Sequence, residues 1–178
     1  MIIERPNFHV FTGGPGVGKT TLLRRLETMG ERVVPENARA VIHDEVKGGG
    51  RGAPWLDNDR FIALTHARDI ADFDRLAGET RRVFFDRGLM DMHGANGTTP
   101  STDIIEAVRT RRYNRNVFVF PPWRDIYETD QERRQDWAEA ERTSDVILTL
   151  LPTLGYEPIV VPIGSLAERA AFVLARAG

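Results

Sequence analysis

The sequence contains no cysteine and no apolar run long enough to cross a membrane. Without thiols, the chain cannot form disulfides or thiolate metal sites, and nothing in it requires an oxidising compartment. A spanning helix needs about 20 consecutive apolar residues, and residues 1–6 also lack a signal-peptide core. These absences lead us to expect a cytoplasmic protein without a membrane partner.

The chain also lacks a large excess of charge of either sign. Its 24 basic and 26 acidic residues leave a formal net charge of −2. This balance argues against duplex nucleic acid as a partner, because proteins that bind it usually carry a basic surface. The length of 178 residues and the hydrophobic content of 41% predict one globular domain over residues 1–178.

The most informative stretch that is present is a glycine-rich loop, Gly13–Thr20, between an apolar run and an amphipathic one. It fits the phosphate-binding pattern GxxxxGK[ST], in which backbone N–H groups and a helix N-terminus hold a polyphosphate. Lys19 is expected to reach the β- and γ-phosphates, and the Thr20 hydroxyl to hold Mg²⁺. The plain alternative is a glycine-rich turn before a helix. The predicted ATP-binding residues are Gly14, Pro15, Gly16, Val17, Gly18, Lys19, Thr20 and Thr21.

Short apolar strands alternate with helical patterns along the whole chain, and glycine-rich residues 47–54 indicate a mobile loop between two helices. This alternation predicts an α/β three-layer sandwich with a five-stranded parallel sheet. Ligands bind beyond the carboxyl ends of such strands, so residues distant in sequence should meet at one cleft. Strands are predicted over residues 7–12, 32–35, 82–86, 116–120 and 159–162. Helices are predicted over residues 18–29, from 36 onward, over 57–76 and 101–113, up to 154, and over 165–177.

Asp86 ends a short apolar run, as the acidic residue of a Walker B strand does. At that position it would lie beside Thr20 and help to place Mg²⁺, directly or through water. The alternative is an aspartate that only caps the next helix.

Glu36 and Arg39 stand three residues apart at the start of a predicted helix, so both can point from one face into the cleft. A carboxylate at this place can accept the proton of an attacking hydroxyl, and an arginine can hold the acceptor. Equally, Glu36 can simply complement the helix dipole.

The region from about residue 121 to 142 is rich in charged side chains of both signs. Such a charged excursion suits a helical lid that closes over the transferring phosphate, with Arg133 and Arg134 as catalytic groups. Charge runs are also the mark of an ordinary solvated helix. Trp123 is placed either to stack on a base or to pack under the lid.

With these motifs, the chain resembles a family of small bacterial P-loop ATPases similar to ribosylnicotinamide kinase and, more distantly, to cytidylate, thymidylate and polynucleotide kinases. The resemblance rests on Gly13–Thr20, on Glu36–Arg39, on Val83–Gly88, on Tyr127–Arg134 and on the closing stretch Gly155–Ala170. It implies an acceptor-side role for Glu36 and phosphate-binding lid arginines. In the related kinases the arginine of an Asp-Arg pair contacts the acceptor or a phosphate, which assigns that role to Arg87; a surface salt bridge is the alternative.

Two functions follow from these observations. The first is an ATP-dependent phosphotransferase that acts on a small nucleoside- or nucleotide-like acceptor, with Mg²⁺ as a cofactor. The second is a nucleotide-dependent switch or ATPase that signals to a protein partner through its lid. The sequence names neither the acceptor nor the oligomeric state.

Overall fold

A computed structural model of the chain describes residues 1–92, 99–124 and 137–178. Its centre is a sheet of five parallel strands whose neighbours supply the ladder hydrogen bonds. The strands are β2 (Phe8–Gly13), β3 (Arg32–Val34), β4 (Val83–Asp86), β6 (Asn116–Phe120) and β7 (Glu157–Val160). They lie in the sheet in the order β3-β4-β2-β6-β7.

Helices cover both faces of this sheet, which confirms the predicted three-layer α/β sandwich. Two of the helices begin at a serine N-cap: the side chains of Ser101 and Ser165 each accept a hydrogen bond from a backbone amide in the first turn of the helix that follows. The helices are α1 (Lys19–Thr28), α2 (Asn37–Lys47), α3 (Asn58–Arg75), α4 (Thr102–Thr110), α5 (Trp137–Thr153) and α6 (Leu166–Ala177), with a short 3₁₀ helix at Leu89–Met92.

Alternate residues of the buried strands divide the core into two parts. Along β2, Phe8 and Val10 pack towards α2, α3, α4 and α5, whereas Phe11 packs towards α1 and α6. The same alternation continues in β4, where Phe84 joins the second group and Phe85 the first. The period of two is the one that a strand buried on both faces requires.

Two elements differ from the prediction. The helix expected to continue to Tyr113 ends at Thr110, because Arg111–Arg112 forms a strand, β5, that pairs in parallel with β1 (Ile3–Glu4). A ladder of two residues leaves no periodicity to detect. Helix α5 already includes Trp137, the first described residue after position 124, so it covers part of the charged region that was predicted to lie before it, and its Ala140 is completely buried.

The glycine-rich loop between α2 and α3 is held by Glu45. Its carboxylate accepts a hydrogen bond from the Gly52 amide at 2.7 Å and from Arg60 Nε at 3.1 Å. A Cβ atom at Gly50 or Gly52 would collide with that carboxylate, so the glycines make room for it. Within the described residues, no helix has both the length and the apolar character needed to span a membrane.

Candidate active site

The phosphate loop, Gly13–Thr20, connects the carboxyl end of β2 to the N-terminus of α1. Gly13, Gly16 and Gly18 have φ angles of 136°, 74° and 82°, a region that side chains with a Cβ rarely enter. Gly18 is the N-cap of α1 and has no side chain with which to cap the first amides of the helix. The first amides of α1 and the positive end of its dipole are therefore directed at the space above the sheet edge.

Lys19 lies in the first turn of α1 and folds back over the loop. Its Nζ donates hydrogen bonds to the carbonyl oxygens of Gly13 and Gly14, at 3.0 and 2.8 Å. Burial, assisted by the positive charge of Arg87, lowers the pKa of Lys19 to about 8. Among the described residues, no carboxylate forms an ion pair with this ammonium group, so its charge remains available to an anionic ligand.

Asp86 lies beside Thr20, as predicted for the Walker B position. Strands β2 and β4 pair Phe11 with Asp86, which brings the carboxylate to the end of the strand that carries the loop. Thr20 Oγ1 donates to Asp86 Oδ2 at 2.9 Å. Burial, together with the charge of Glu36, raises the pKa of Asp86 against the opposing effect of Lys19.

The same pair fits a magnesium ion. Asp86 Oδ1 is buried and accepts no hydrogen bond from any described residue. A hydroxyl and a carboxylate with a spare oxygen are hard oxygen ligands of the kind that Mg²⁺ prefers, and one or two protein ligands suffice beside substrate phosphates.

Glu36 and Arg87 form an ion pair at the edge of the cleft. Glu36 is the N-cap of α2, but its side chain makes no cap hydrogen bond. Instead, it accepts from Arg87 Nε at 2.8 Å and from Arg39 Nε at 3.1 Å. Burial favours the neutral acid, but the charges of Arg87, Lys19 and Arg39 together outweigh that effect and lower the pKa of Glu36. Glu36 is therefore an ionised hydrogen-bond acceptor in this arrangement.

Arg87 is held in an unusual conformation. Its φ of 73° is the one positive value at a non-glycine residue in the part of the chain that the structure describes. Such a conformation persists when the surroundings enforce it. Here Arg87 Nη1 donates to Asp91 Oδ1 at 3.2 Å, in addition to the bond with Glu36.

Asp91 is a residue of this site that the motifs do not reveal. Its carboxylate accepts hydrogen bonds from the Thr12 hydroxyl and, at 2.8 Å, from the Gly88 amide, as well as from Arg87. It thereby joins the end of β2 to the turn after β4. Asp91 was not among the predicted site residues, although it follows Asp86 by only five residues in the sequence and so lies near the same sheet edge.

The phosphate loop and the Glu36–Arg87 pair border one cavity of about 640 Å³, which Asp91 supports from behind Arg87 without lining it. Predicted residues from Pro15 to Thr21 line it together with Glu36, Arg39 and Arg87. Gly14 and Asp86 do not line it, but they contact Lys19 and Thr20, which do. Arg133 and Arg134, with residues 125–136 of the predicted lid, lie outside the described residues.

The far wall of the cavity was not predicted, apart from Trp123. It comprises Gly164, Ser165, Leu166 and Arg169 around the start of α6. Ser165 and Glu168 form a capping box there, which is a detectable signal for the start of the helix. That signal does not reveal which surface the helix N-terminus faces.

A parallel sheet with its phosphate loop between the central strand and α1, and an acidic residue at the end of the adjacent strand, defines the fold of a P-loop protein. This confirms the fold class inferred from the motifs. The chain belongs to the family described as an AAA domain, which matches residues 8–169. No curated protein matches the chain at the level of sequence.

Solved structures share the fold at low identity. Deoxyadenosine kinase from M. mycoides, with the products dCMP and dCDP, is similar with a TM-score of 0.65 and 11% identity over 95% of this chain and 97% of that one. Thymidylate kinase from Ehrlichia chaffeensis gives 0.60 and 16%, over 95% and 96%. The NadR protein in complex with NAD and AMP-PNP gives 0.60 and 18%, over 95% of this chain but 48% of that one.

Proposed function

We propose that the protein is an ATP-dependent phosphotransferase that acts on a small nucleoside- or nucleotide-like acceptor. The observation that carries the proposal is that the phosphate loop, Glu36 and Arg87 line one shared cavity. A protein that only binds nucleotide needs the loop, whereas Glu36, Arg39 and Arg87 offer an ionised carboxylate and arginines to a second substrate. The kinases among its structural neighbours have the same fold.

On the donor side, the triphosphate of ATP would lie on the loop amides and the N-terminus of α1. Lys19 would exchange its two carbonyl contacts for phosphate oxygens, and its charge is not balanced by a described carboxylate. Thr20 and Asp86 would hold Mg²⁺, which supplies charge neutralisation for the β- and γ-phosphates when bound. The AMP-PNP in the NadR structure supports ATP as the donor.

On the acceptor side, a hydroxyl would hydrogen-bond to Glu36. The hydroxyl oxygen of the acceptor forms the new bond to the γ-phosphorus, while the bond between the γ-phosphorus and the β–γ bridging oxygen breaks. Glu36 takes the hydroxyl proton. The transition state is loose, so positioning matters more than a strong base, and the lowered pKa of Glu36 keeps it ionised and able to accept a hydrogen bond from the hydroxyl. Arg39 and Arg87 would orient the acceptor.

The proposal includes one kinase-like domain over residues 1–178 with a lid at about residues 121–142. Arg133 and Arg134 would stabilise charge on the γ-phosphoryl group when the lid closes. This part of the proposal rests on the charge pattern of the sequence.

Glu36→Gln tests the acceptor-side assignment. The amide keeps the shape of the side chain but cannot take a proton, so acceptor-stimulated ADP formation should fall by about 10²-fold or more. MgATP affinity, measured by calorimetry, should stay within a few-fold of that of the wild type.

Glu106→Gln is the matched control, because Glu106 pairs with Arg109 on the exposed surface of α4. It should leave both quantities unchanged. Acceptor-stimulated turnover by Glu36→Gln at the wild-type rate would contradict the assignment of Glu36.

A further inference from the structure

Arg169 is a buried cation at the nucleotide cavity. It lies in the first turn of α6, with 5% of its surface exposed, and lines the same cavity as the phosphate loop. No described carboxylate forms an ion pair with it, and its Nε is buried without a hydrogen-bond partner among the described residues. Burial of an uncompensated charge is costly, so its position calls for an explanation.

One hydrogen bond links Arg169 to the phosphate loop across 152 residues of sequence. Its Nη2 donates to the carbonyl oxygen of Val17 at 3.0 Å. The C=O of Val17 and the N–H of Gly18 belong to one planar trans peptide group and point in opposite directions. A guanidinium that holds the carbonyl on the α6 side therefore directs the Gly18 N–H away from α6 and towards the interior of the loop.

Aromatic side chains fix the guanidinium in place. The guanidinium carbon Cζ of Arg169 lies 5.0 Å from the ring centroid of Phe120 and 5.4 Å from the ring centroid of Trp123. Phe120 is completely buried at the end of β6. Both contacts have the geometry of cation–π interactions, which are strongest when the cation is desolvated. The sheet, α6 and the loop are thus joined at one side chain.

We propose that Arg169 is a positioning residue for the phosphate loop: it orients the Val17–Gly18 peptide so that the Gly18 N–H meets a phosphate oxygen. The inference rests on the proposed function only in taking the loop as the site of the triphosphate. It assigns to α6 a part in phosphate binding that the loop motif does not contain.

The test compares Arg169→Met and Arg169→Lys with Arg176→Met. Arg176 is exposed on the same helix, with its guanidinium carbon 3.6 Å from the ring centroid of Phe172. Arg176→Met therefore removes a similar contact with an aromatic ring, but away from the phosphate loop. Calorimetry measures the Kd of each protein for inorganic tripolyphosphate with Mg²⁺ and for MgATP. Circular dichroism and thermal unfolding establish that the variants are folded at the temperature used.

Arg169→Met should weaken tripolyphosphate and MgATP by similar factors of about tenfold or more, the effect expected for loss of a hydrogen bond to a charged group. Arg169→Lys should show a smaller loss, and Arg176→Met none. Unchanged tripolyphosphate affinity in folded Arg169→Met or Arg169→Lys would overturn the inference, as would a loss confined to ATP, which would assign the residue to the base instead.

Acceptor-stimulated ADP formation by the wild type is measured on the same preparation. Its absence would contradict the proposed kinase function while leaving the tripolyphosphate comparison valid, so the two failures are distinguishable.

Discussion

Lys19 and Arg87 are two cations near the reacting groups, and their partners differ. Lys19 contacts two carbonyl oxygens, whereas Arg87 contacts the carboxylates of Glu36 and Asp91. A new anion can therefore approach Lys19 without displacing a carboxylate, but not Arg87. The positive charge of the site is concentrated on the donor side, where a triphosphate brings the most negative charge.

The pKa of Asp69 can be used to test how tightly the residues around Asn37, next to Glu36, are packed. Asn37 Nδ2 donates to Asp69 Oδ1 and to Asp72 Oδ2, both at 2.9 Å. Burial raises the pKa of Asp69 to about 7; the Asn37 hydrogen bond and Arg87 oppose the rise, whereas Asp91 and Asp72 add to it.

A raised carboxyl pKa makes the folded state bind more protons than the unfolded state between pH 4 and 7. The free energy of unfolding contributed by Asp69 therefore falls as pH rises through that window. Asp69→Asn removes the titration, so its stability relative to the wild type should increase by more than about 1 kcal/mol from pH 4 to pH 7.

Urea unfolding at several pH values measures this difference. Asp59→Asn, at an exposed position on the same helix, should keep the wild-type pH dependence. A constant difference between Asp69→Asn and the wild type across the window would show that Asp69 titrates normally.

At the scale of elements, the junction of β2 with the phosphate loop depends on close packing against β6. A Cβ atom at Gly13 would lie 2.5 Å from the carbonyl oxygen of Phe120, and Gly13 has a φ of 136°. Gly30, after α1, also has a positive φ of 93°, but a Cβ there would meet nothing within 4 Å. Substitution at Gly30 therefore tests backbone strain alone, whereas substitution at Gly13 tests backbone strain together with a steric clash.

Gly30→Ala should cost about 1–2 kcal/mol of unfolding free energy, the usual penalty of a left-handed conformation. Gly13→Ala should cost clearly more, because β2 and β6 must also move apart, and it should weaken MgATP binding through the displaced loop. Denaturant unfolding of both variants checks the order. Equal losses would mean that the close approach to Phe120 is relieved without cost.

The elements also show what the sequence can predict. Strands such as β2 and β6 are predictable because a run of apolar residues is what a strand buried on both faces requires. The pairing of β1 with β5 is not, because each strand has only two residues and Ile3 and Arg111 are far apart in the sequence. The loop over residues 47–54 looks unrestrained in sequence, and its anchor, Glu45, gives no local signal.

At the scale of the whole molecule, the order of the sheet explains which parts of the site were predictable. Thr20, Glu36 and Asp86 follow strand ends, so the parallel topology alone brings them to one edge. Asp91 and Arg169 reach the site through hydrogen bonds that depend on how a 3₁₀ turn and the last helix pack. Such tertiary contacts have no short-range pattern, which is why sequence motifs found the near wall of the cavity and missed the far one.

In the proposed reaction, the molecule couples two substrates in one cavity, with Lys19 on the donor side. Lys19→Ala removes the ammonium group from the donor side and should abolish turnover. Lys47→Ala changes the other lysine of the chain, which is exposed at the end of α2, and should behave as the wild type does.

The most direct measurement is ADP release from MgATP with a panel of nucleosides, nucleoside monophosphates, nicotinamide riboside and 5′-hydroxyl oligonucleotides. We predict that one acceptor class stimulates ADP release by the wild type and by Lys47→Ala, with no release by Lys19→Ala. Tight MgATP binding with slow hydrolysis that no acceptor changes would contradict the phosphotransferase and favour a nucleotide-dependent switch.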